Sequence, residues 1–445
     1  MKQYDSYKDS GVEWIGMIPS HWEVMPLKRY GRFNKGLSCT KADLVEEGCP
    51  VVSYGQVHSK NNKGTQLNKE LIRFVPESIA NSTNSIVRRG DFIFADTSED
   101  LEGSGNVVYN DTDTIVFGGY HTVLYQTNND DNKYLAYLFT TDDWRSQIRS
   151  RVGGVKVYSI TQYILGLSSL LLPPIEEQRA IANYLDAKTA KIDGIIASRE
   201  KKIKLLEELR ASIISEAVTK GIHKNVEMKD SGIQWIGRIP KHWEVCKTLY
   251  VLSMPITDGP HETPVLYEDG IPFISAEAVS TGEIRFDLMR GYISQKYYEE
   301  CCKKYTPQMY DIYMIKSGAT TGRIAMVKTD RVFTIWSPLA VFRANERIIL
   351  HDFLYYALKS DYYQRQVELY WSFGTQQNIG MRSLERIKIA FPSIQEQKDI
   401  LNYLKEKVSQ IDKKIEMSLR EISLLKEYRN SLITEVVTGK RKVVV

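Results

Sequence analysis

One stretch of this chain occurs twice, and it restricts the fold more than any other feature. Residues Pro173 to Thr219 return as Pro392 to Thr438 without a gap. Gln178 falls on Gln397, Asn183-Tyr184-Leu185 on Asn402-Tyr403-Leu404, Ile192-Asp193 on Ile411-Asp412, and Arg210 on Arg429. An internal repeat sets architecture before any motif does. In each copy apolar residues alternate at spacings of four and three: Ile192, Ile196, Ile203, Leu206 and Ile213, matched by Ile411, Ile415, Ile422, Leu425 and Leu432. That heptad stripe predicts one long helix per copy, ~45 residues and roughly 65–70 Å at 1.5 Å per residue. Pro173-Pro174 with the following acids, and Ser393 with Glu396 at capping-box spacing, are helix-start signals. A helix of that length cannot bury its stripe on itself, and the other copy is the obvious partner. Arg199, matched by Ser418, and the pair Arg210 and Arg429 interrupt the stripes. They either fix the register of the pairing or extend out of the seam along their own stems.

A second echo precedes each middle segment. Lys8-Asp9-Ser10-Gly11-Val12-Glu13-Trp14-Ile15-Gly16, running on to Ile18-Pro19 and His21-Trp22, returns as Lys229-Asp230-Ser231-Gly232-Ile233-Gln234-Trp235-Ile236-Gly237, Ile239-Pro240 and His242-Trp243. The chain is thus read as two tandem units. A repeated lead (1–24) is followed by a first middle domain (25–172) and a central long helix (173–221). A second lead (222–245), a second middle domain (246–391), a C-terminal long helix (392–438) and a tail (439–445) complete it. The tryptophan pairs read as packing anchors, and His21 and His242 as parts of packed turns, since no carboxylate or cysteine cluster accompanies them in sequence.

The middles differ from the repeated parts in kind and from each other in sequence. Runs such as Asp91-Phe92-Ile93-Phe94 and Ile312-Tyr313-Met314-Ile315 predict strands, and Tyr134–Phe139 and Phe353–Leu358 one helix each. The fold class expected is α/β (α+β): two strand-rich globules on a repeated helical frame. The repeated part reads as scaffold and the variable part as interchangeable reading heads.

Bulk composition narrows the classes. With 42% hydrophobic and 26% charged residues, the chain matches an ordinary globular protein. No apolar run approaches the ~20 residues of a membrane span, and Met1–Asp5 does not open like a signal peptide. Cys39, Cys49, Cys246, Cys301 and Cys302 show no metal or disulfide spacing, so free thiols in a reducing cytoplasm are expected. A net charge of +4 permits a polyanion partner without requiring one.

The doubled Trp-Ile-Gly-x-Ile-Pro-x-His-Trp and the helix starts Pro-Pro-Ile-Glu-Glu-Gln and Pro-Ser-Ile-Gln-Glu-Gln resemble those of specificity subunits of type I restriction-modification systems. So do Thr257-Asp258-Gly259-Pro260-His261-Glu262-Thr263-Pro264, Gly318-Ala319-Thr320-Thr321-Gly322-Arg323 and Gly374-Thr375-Gln376-Gln377-Asn378-Ile379. The resemblance covers nearly the whole chain. It implies two target-recognition domains held apart by two long helices paired as an antiparallel coiled coil. It further implies a bipartite, non-palindromic duplex DNA target and docking of methyltransferase subunits, two in number, with restriction subunits reached through them. The first middle departs from the pattern. It lacks the T-D-G-x-H-x-T-P signature and carries Gly153-Gly154-Val155-Lys156-Val157-Tyr158-Ser159-Ile160 before its helix.

Candidate DNA contacts are therefore Lys156, Tyr158 and Ser159 in the first middle. In the second they are Thr257, Asp258, His261, Lys316, Thr320, Thr321, Arg323, Thr375, Gln376, Gln377 and Asn378. Lys316, Arg323 and the Gly-Thr turn between them suit backbone phosphates, and the Gln-Gln-Asn run suits adenine in the major groove. Such polar turns also occur as plain solvated loops, and composition does not separate the two. The isoleucines and leucines of the stripes are candidates for helix pairing and subunit docking. The sequence has no G-x-x-x-x-G-K-[ST] phosphate loop and no Asn-Pro-Pro-Tyr-type tetrad. Asp96 to Glu102 reads as an acidic surface loop. The chain is accordingly expected to be non-catalytic and to hold no cofactor or metal, with adenosylmethionine, ATP and Mg²⁺ belonging to its partners. The alternatives are a coiled-coil adaptor whose middles bind protein, and a stand-alone methyltransferase or nuclease.

Overall fold

The computed structural model of the chain describes residues 3–129, 131–154, 156–223, 225–373 and 377–443. Two compact units form: Met1–Arg199 with Arg420–Val445, and Glu200–Leu419. The two long helices span Ile175–Lys220 and Ile394–Val437. Neither helix belongs to a single unit. The first unit takes residues 175–199 of one and 420–437 of the other, and the second takes 200–220 and 394–419. Gly221 ends the first helix in the left-handed region, at φ 74°, the stop that its position in the sequence suggests.

In the first unit the helices run antiparallel. Asp193 meets Arg429 at 3.1 Å and Arg199 meets Glu421 at 2.8 Å, so numbering rises on one helix as it falls on the other. In the second unit Arg210 meets Asp412 at 3.0 Å. Asp193 and Asp412 are repeat equivalents, as are Arg210 and Arg429. One ion pair is thus made twice, once in each unit. The seam arginines reach past the apolar layer to an acid on the facing helix, which ties charge to register. Along the stripe Ile192, Ile196, Ile411, Ile422 and Leu432 are buried, while Ile203, Leu206, Ile213, Ile415 and Leu425 are half-buried.

Each lead is fastened to the start of a long helix. Glu177, in the first turn, accepts from Trp22 Nε1 at 3.2 Å and from the Tyr4 hydroxyl at 2.5 Å, and pairs with His21 Nε2 at 2.8 Å. Glu396 accepts from Trp243 Nε1 at 3.1 Å and pairs with His242 Nε2 at 2.7 Å. The following glutamines close the turn: Gln178 Nε2 donates to the Pro173 carbonyl and Gln397 Nε2 to the Pro392 carbonyl, both at 2.9 Å. The shared Glu-Gln of the two helix starts is thereby explained. The acid fits the positive end of the helix and satisfies an indole N–H that would otherwise be buried without an acceptor.

The two middles share a topology despite their different sequences. In the first, strands Val107–Tyr109, Phe92–Ala95, Thr122–Gln126 and Arg32–Lys35 lie in that order. In the second, Ile324–Met326, Ile312–Ile315, Leu339–Phe342 and Thr257–Asp258 repeat it. A second sheet in each contains a parallel pair, Val116–Gly118 with Cys49–Val52 and Thr334–Ile335 with Ile271–Ile274. The central strands Phe92–Ala95 and Ile312–Ile315 are buried throughout, so they read as continuous apolar runs rather than alternating ones.

The repeated ion pair is open to a direct measurement. Double-mutant cycles on Asp193 with Arg429, and on Asp412 with Arg210, are expected to give similar couplings of about 0.5–1 kcal/mol each in denaturant unfolding. Zero coupling at both sites would show that the arginines only extend out of the seam.

Candidate nucleic-acid interface

In the second middle the sequence motifs converge on one buried carboxylate. Asp258 is fully buried and is held by Lys304 Nζ and Lys316 Nζ, each at 2.5 Å, with His261 Nε2 at 3.1 Å. Burial alone would raise its pKa, but hydrogen bonds from the two lysines outweigh that and hold the carboxyl below the usual carboxylate range. Gly259 follows because the chain there presses on the neighbouring strand: a Cβ would lie 2.0 Å from the Ile335 carbonyl oxygen. Pro260 O then accepts from Ser337 N, and Lys316 N donates to Pro338 O. The Thr257–His261 turn, the Lys316 turn and the Trp336–Pro338 turn thus form one hydrogen-bonded group.

The Gly-Thr turn joins it from the other side. Gly318 N donates to Gln377 O at 3.0 Å, Ile379 N to Lys316 O at 2.9 Å, and Thr321 Oγ1 to the Gly318 carbonyl at 2.7 Å. Thr320 caps the turn through its carbonyl, which accepts from Arg323 N. His261, Arg323 and Asn378 are exposed, and Gln377 half-buried. Arg323 spends one N–H on the Ser280 carbonyl. Asp258 and Lys316 are therefore internal to the site: the lysine ammonium is committed to the carboxylate, and both shape the turns that carry the exposed groups. Thr375 and Gln376 lie outside the described residues.

In the first middle Tyr158–Ser159 forms a short strand against Thr97–Ser98, and Ile160 N donates to Asp96 O at 2.7 Å. Register makes this the counterpart of Gln377–Asn378 beside Ser317. Ser159 is exposed, Tyr158 half-buried and Lys156 exposed. Sequence reasoning singled out residues at matching positions in the two heads. It missed Lys304, which comes from the helix Gln295–Lys304 with no spacing cue to Asp258. Asp96 and its neighbours were read as a plain surface loop, although Asp96 follows its central strand as Lys316 follows the equivalent one. Among the described residues no cluster of His, Cys, Asp and Glu is fit to hold a metal. No helix there is long and apolar enough to cross a membrane.

The family model described as "Type I restriction modification DNA specificity domain" matches residues 19–205 and 264–421. The chain belongs to the type I restriction-modification DNA specificity family. Among its relatives is the putative type I restriction enzyme MjaX specificity subunit of Methanocaldococcus jannaschii, 24% identical over 96% of each chain. The MjaVIII specificity subunit of the same organism is 26% identical over 70% of this chain and 71% of that protein. A solved chain from work on complex assembly and conformational transition of the type I R-M system superposes with a TM-score of 0.67. It shares 17% identity and the match covers 94% of this chain and 98% of that one. Specificity subunits of this family recognise DNA targets and are non-catalytic, catalysis residing in partner subunits.

The hub at Asp258 sets a pH-dependent expectation. A depressed folded pKa stabilises at pH above the unfolded value of about 3.9, and that stabilisation fades as pH falls through the lower folded value. Asp258→Asn is expected to cost about 3 kcal/mol at pH 7, since it leaves two ammonium groups facing a neutral amide. Thermal unfolding followed from about pH 7 to about pH 3 should show the gap to wild type closing at the acid end. A constant gap would assign the loss to packing.

Proposed function

We propose that this specificity subunit reads a bipartite, non-palindromic duplex, one middle domain per half-site. The observation that carries the reading is the pairing of a common frame with unlike chemistry. Both heads have the same strand order and register, yet matching positions hold Lys35 and Asp96 in one and Asp258 and Lys316 in the other. Same frame and different side chains is the arrangement expected when position on the duplex is fixed and base preference is not. The domains responsible are residues 25–172 and 246–391. The exposed His261, Arg323, Gln377 and Asn378 would face the second half-site, and Lys156, Tyr158 and Ser159 the first.

Two methyltransferase subunits would dock on the long helices, with restriction subunits beyond them, and these partners would supply adenosylmethionine, ATP and Mg²⁺ chemistry. Support comes from a second apolar face. Leu205 and Leu209, 55% and 49% exposed, stand one turn apart, and their repeat equivalents Leu424 and Tyr428 are 56% and 52% exposed. Neither pair lies in the seam, and each unit carries one. Two equal apolar pairs fit two copies of one partner.

Methylome sequencing of cells carrying this chain with its partner subunits is expected to give a motif of two unlike halves separated by unspecified bases. A single palindromic motif would overturn the reading. Changing Leu205 and Leu209 to Asp is expected to halve the methyltransferase that co-purifies, and adding Leu424→Asp and Tyr428→Asp to abolish it. Full recovery by the four-residue variant would move the docking site elsewhere.

A further inference from the structure

The second head spends its charged pair on itself, whereas the first does not. Register places Lys35 where the second head has Asp258, and Asp96 where it has Lys316. In the second head these two positions form a buried ion pair. In the first, among the described residues, Lys35 and Asp96 form none, and a cavity of about 620 Å³ opens there instead, lined by Lys35, Asp96, His121, Ser159 and Gln162. The cavity adjoins the Tyr158–Ser159 strand that the proposed function assigns to DNA.

The floor of this cavity is built around Asp96. Its N–H donates to the His121 carbonyl at 3.2 Å, and its Oδ1 lies 3.2 Å from Nδ1 of the same histidine. His121 sits at φ 52°, left-handed for a residue with a side chain, where the second head has Pro338. Backbone held in that region costs energy and collects at functional sites. Tyr54 backs the arrangement, its ring 6.3 Å from the His121 imidazole and 4.7 Å from that of His58, whose Nε2 bonds the Thr97 carbonyl. The Asp96 side chain retains 35% of its surface with Oδ1 buried against the imidazole, which leaves Oδ2 to accept.

We propose that Asp96 reads an exocyclic amino group, cytosine N4, in the major groove of the first half-site, with His121 as its positioning residue. This rests on the DNA-reading function proposed above. A carboxylate can only accept, and it repels phosphate. On a DNA face it is tolerated where a base-edge donor meets it, and the donors in the major groove are the amino groups of cytosine and adenine. The commonest carboxylate partner is cytosine N4.

The test uses the chain assembled with its methyltransferase subunits, reading the methylation motif and the affinity for duplexes changed one base at a time. Asp96→Asn is expected to lose preference for cytosine at one position of the first half-site by about tenfold or more, with the second half-site unchanged. His121→Gly, which takes the left-handed backbone freely, should keep the melting temperature and lose the same preference. His121→Asn, which also tolerates that backbone and can donate to Oδ1, should retain it. If Asp96→Asn tightens binding to all duplexes alike and leaves the motif unaltered, the carboxylate only repels phosphate and the inference is overturned. Equal loss in both half-sites overturns it too. A wild-type assembly that directs no defined motif would overturn the DNA-reading function together with the inference.

Discussion

Two helices of some 45 residues each carry an apolar stripe that neither can hide alone, and everything else in the chain is arranged by how those stripes meet. Apolar contact by itself is tolerant of sliding, because one layer of isoleucine and leucine resembles the next. The Asp193–Arg429 and Arg210–Asp412 pairs remove that tolerance. A slip by one heptad would leave two half-buried arginines and two acids without partners, in surroundings less wet than an open surface. Because the pairs are repeat equivalents, satisfying one in the antiparallel sense satisfies the other. The frame is therefore set by a single interaction used twice.

The leads extend this logic to the heads. Trp22 and Trp243 are fully buried, and each indole N–H ends on the first-turn glutamate of a long helix. Each head is thus tethered to the frame through a group whose partner is fixed by helix geometry rather than by the head's own sequence. That explains why leads and helices repeat while the middles diverge. Change within a middle leaves the Trp–Glu tether and the helix pairing untouched, so base preference can vary without altering where a head is mounted.

Much of this was legible in the sequence, and the reasons are local. Heptad spacing, the Pro-x-Ile-x-Glu-Gln helix starts and the doubled Trp segment act over a few residues or by duplication, both visible without a fold. The seam arginines were visible as interruptions, but their acids were not, because antiparallel pairing brings together residues that sequence order keeps apart. The reading site was legible only in outline. Asp258 looks in sequence like a group offered to DNA. In the fold it is a buried hub whose two lysines arrive from separate elements, and residue type cannot distinguish those roles. Asp96 was hidden for the opposite reason. Its neighbours Glu99, Asp100 and Glu102 make the stretch look like an ordinary acidic loop, and only strand register shows that Asp96 stands in the place of Lys316.

The helical frame is also not perfectly symmetric. Arg199 pairs with Glu421 in the first unit, but their repeat equivalents are Ser418 and Lys202, which form no ion pair among the described residues. A chain cut after its first long helix and pairing with its own copy would regain the Asp193–Arg210 contact twice. It would also set Arg199 opposite Lys202, where the native seam has Glu421. Like charges facing across a helix pair are unfavourable by tenths of a kcal/mol to about one each. Two such contacts would oppose two favourable ones of the same size. The intact chain avoids that conflict by carrying two non-identical copies, so the third ion pair favours joining unlike halves over joining like ones. The same difference between copies that lets two heads read different bases is thereby written, in charge, into the frame that holds them.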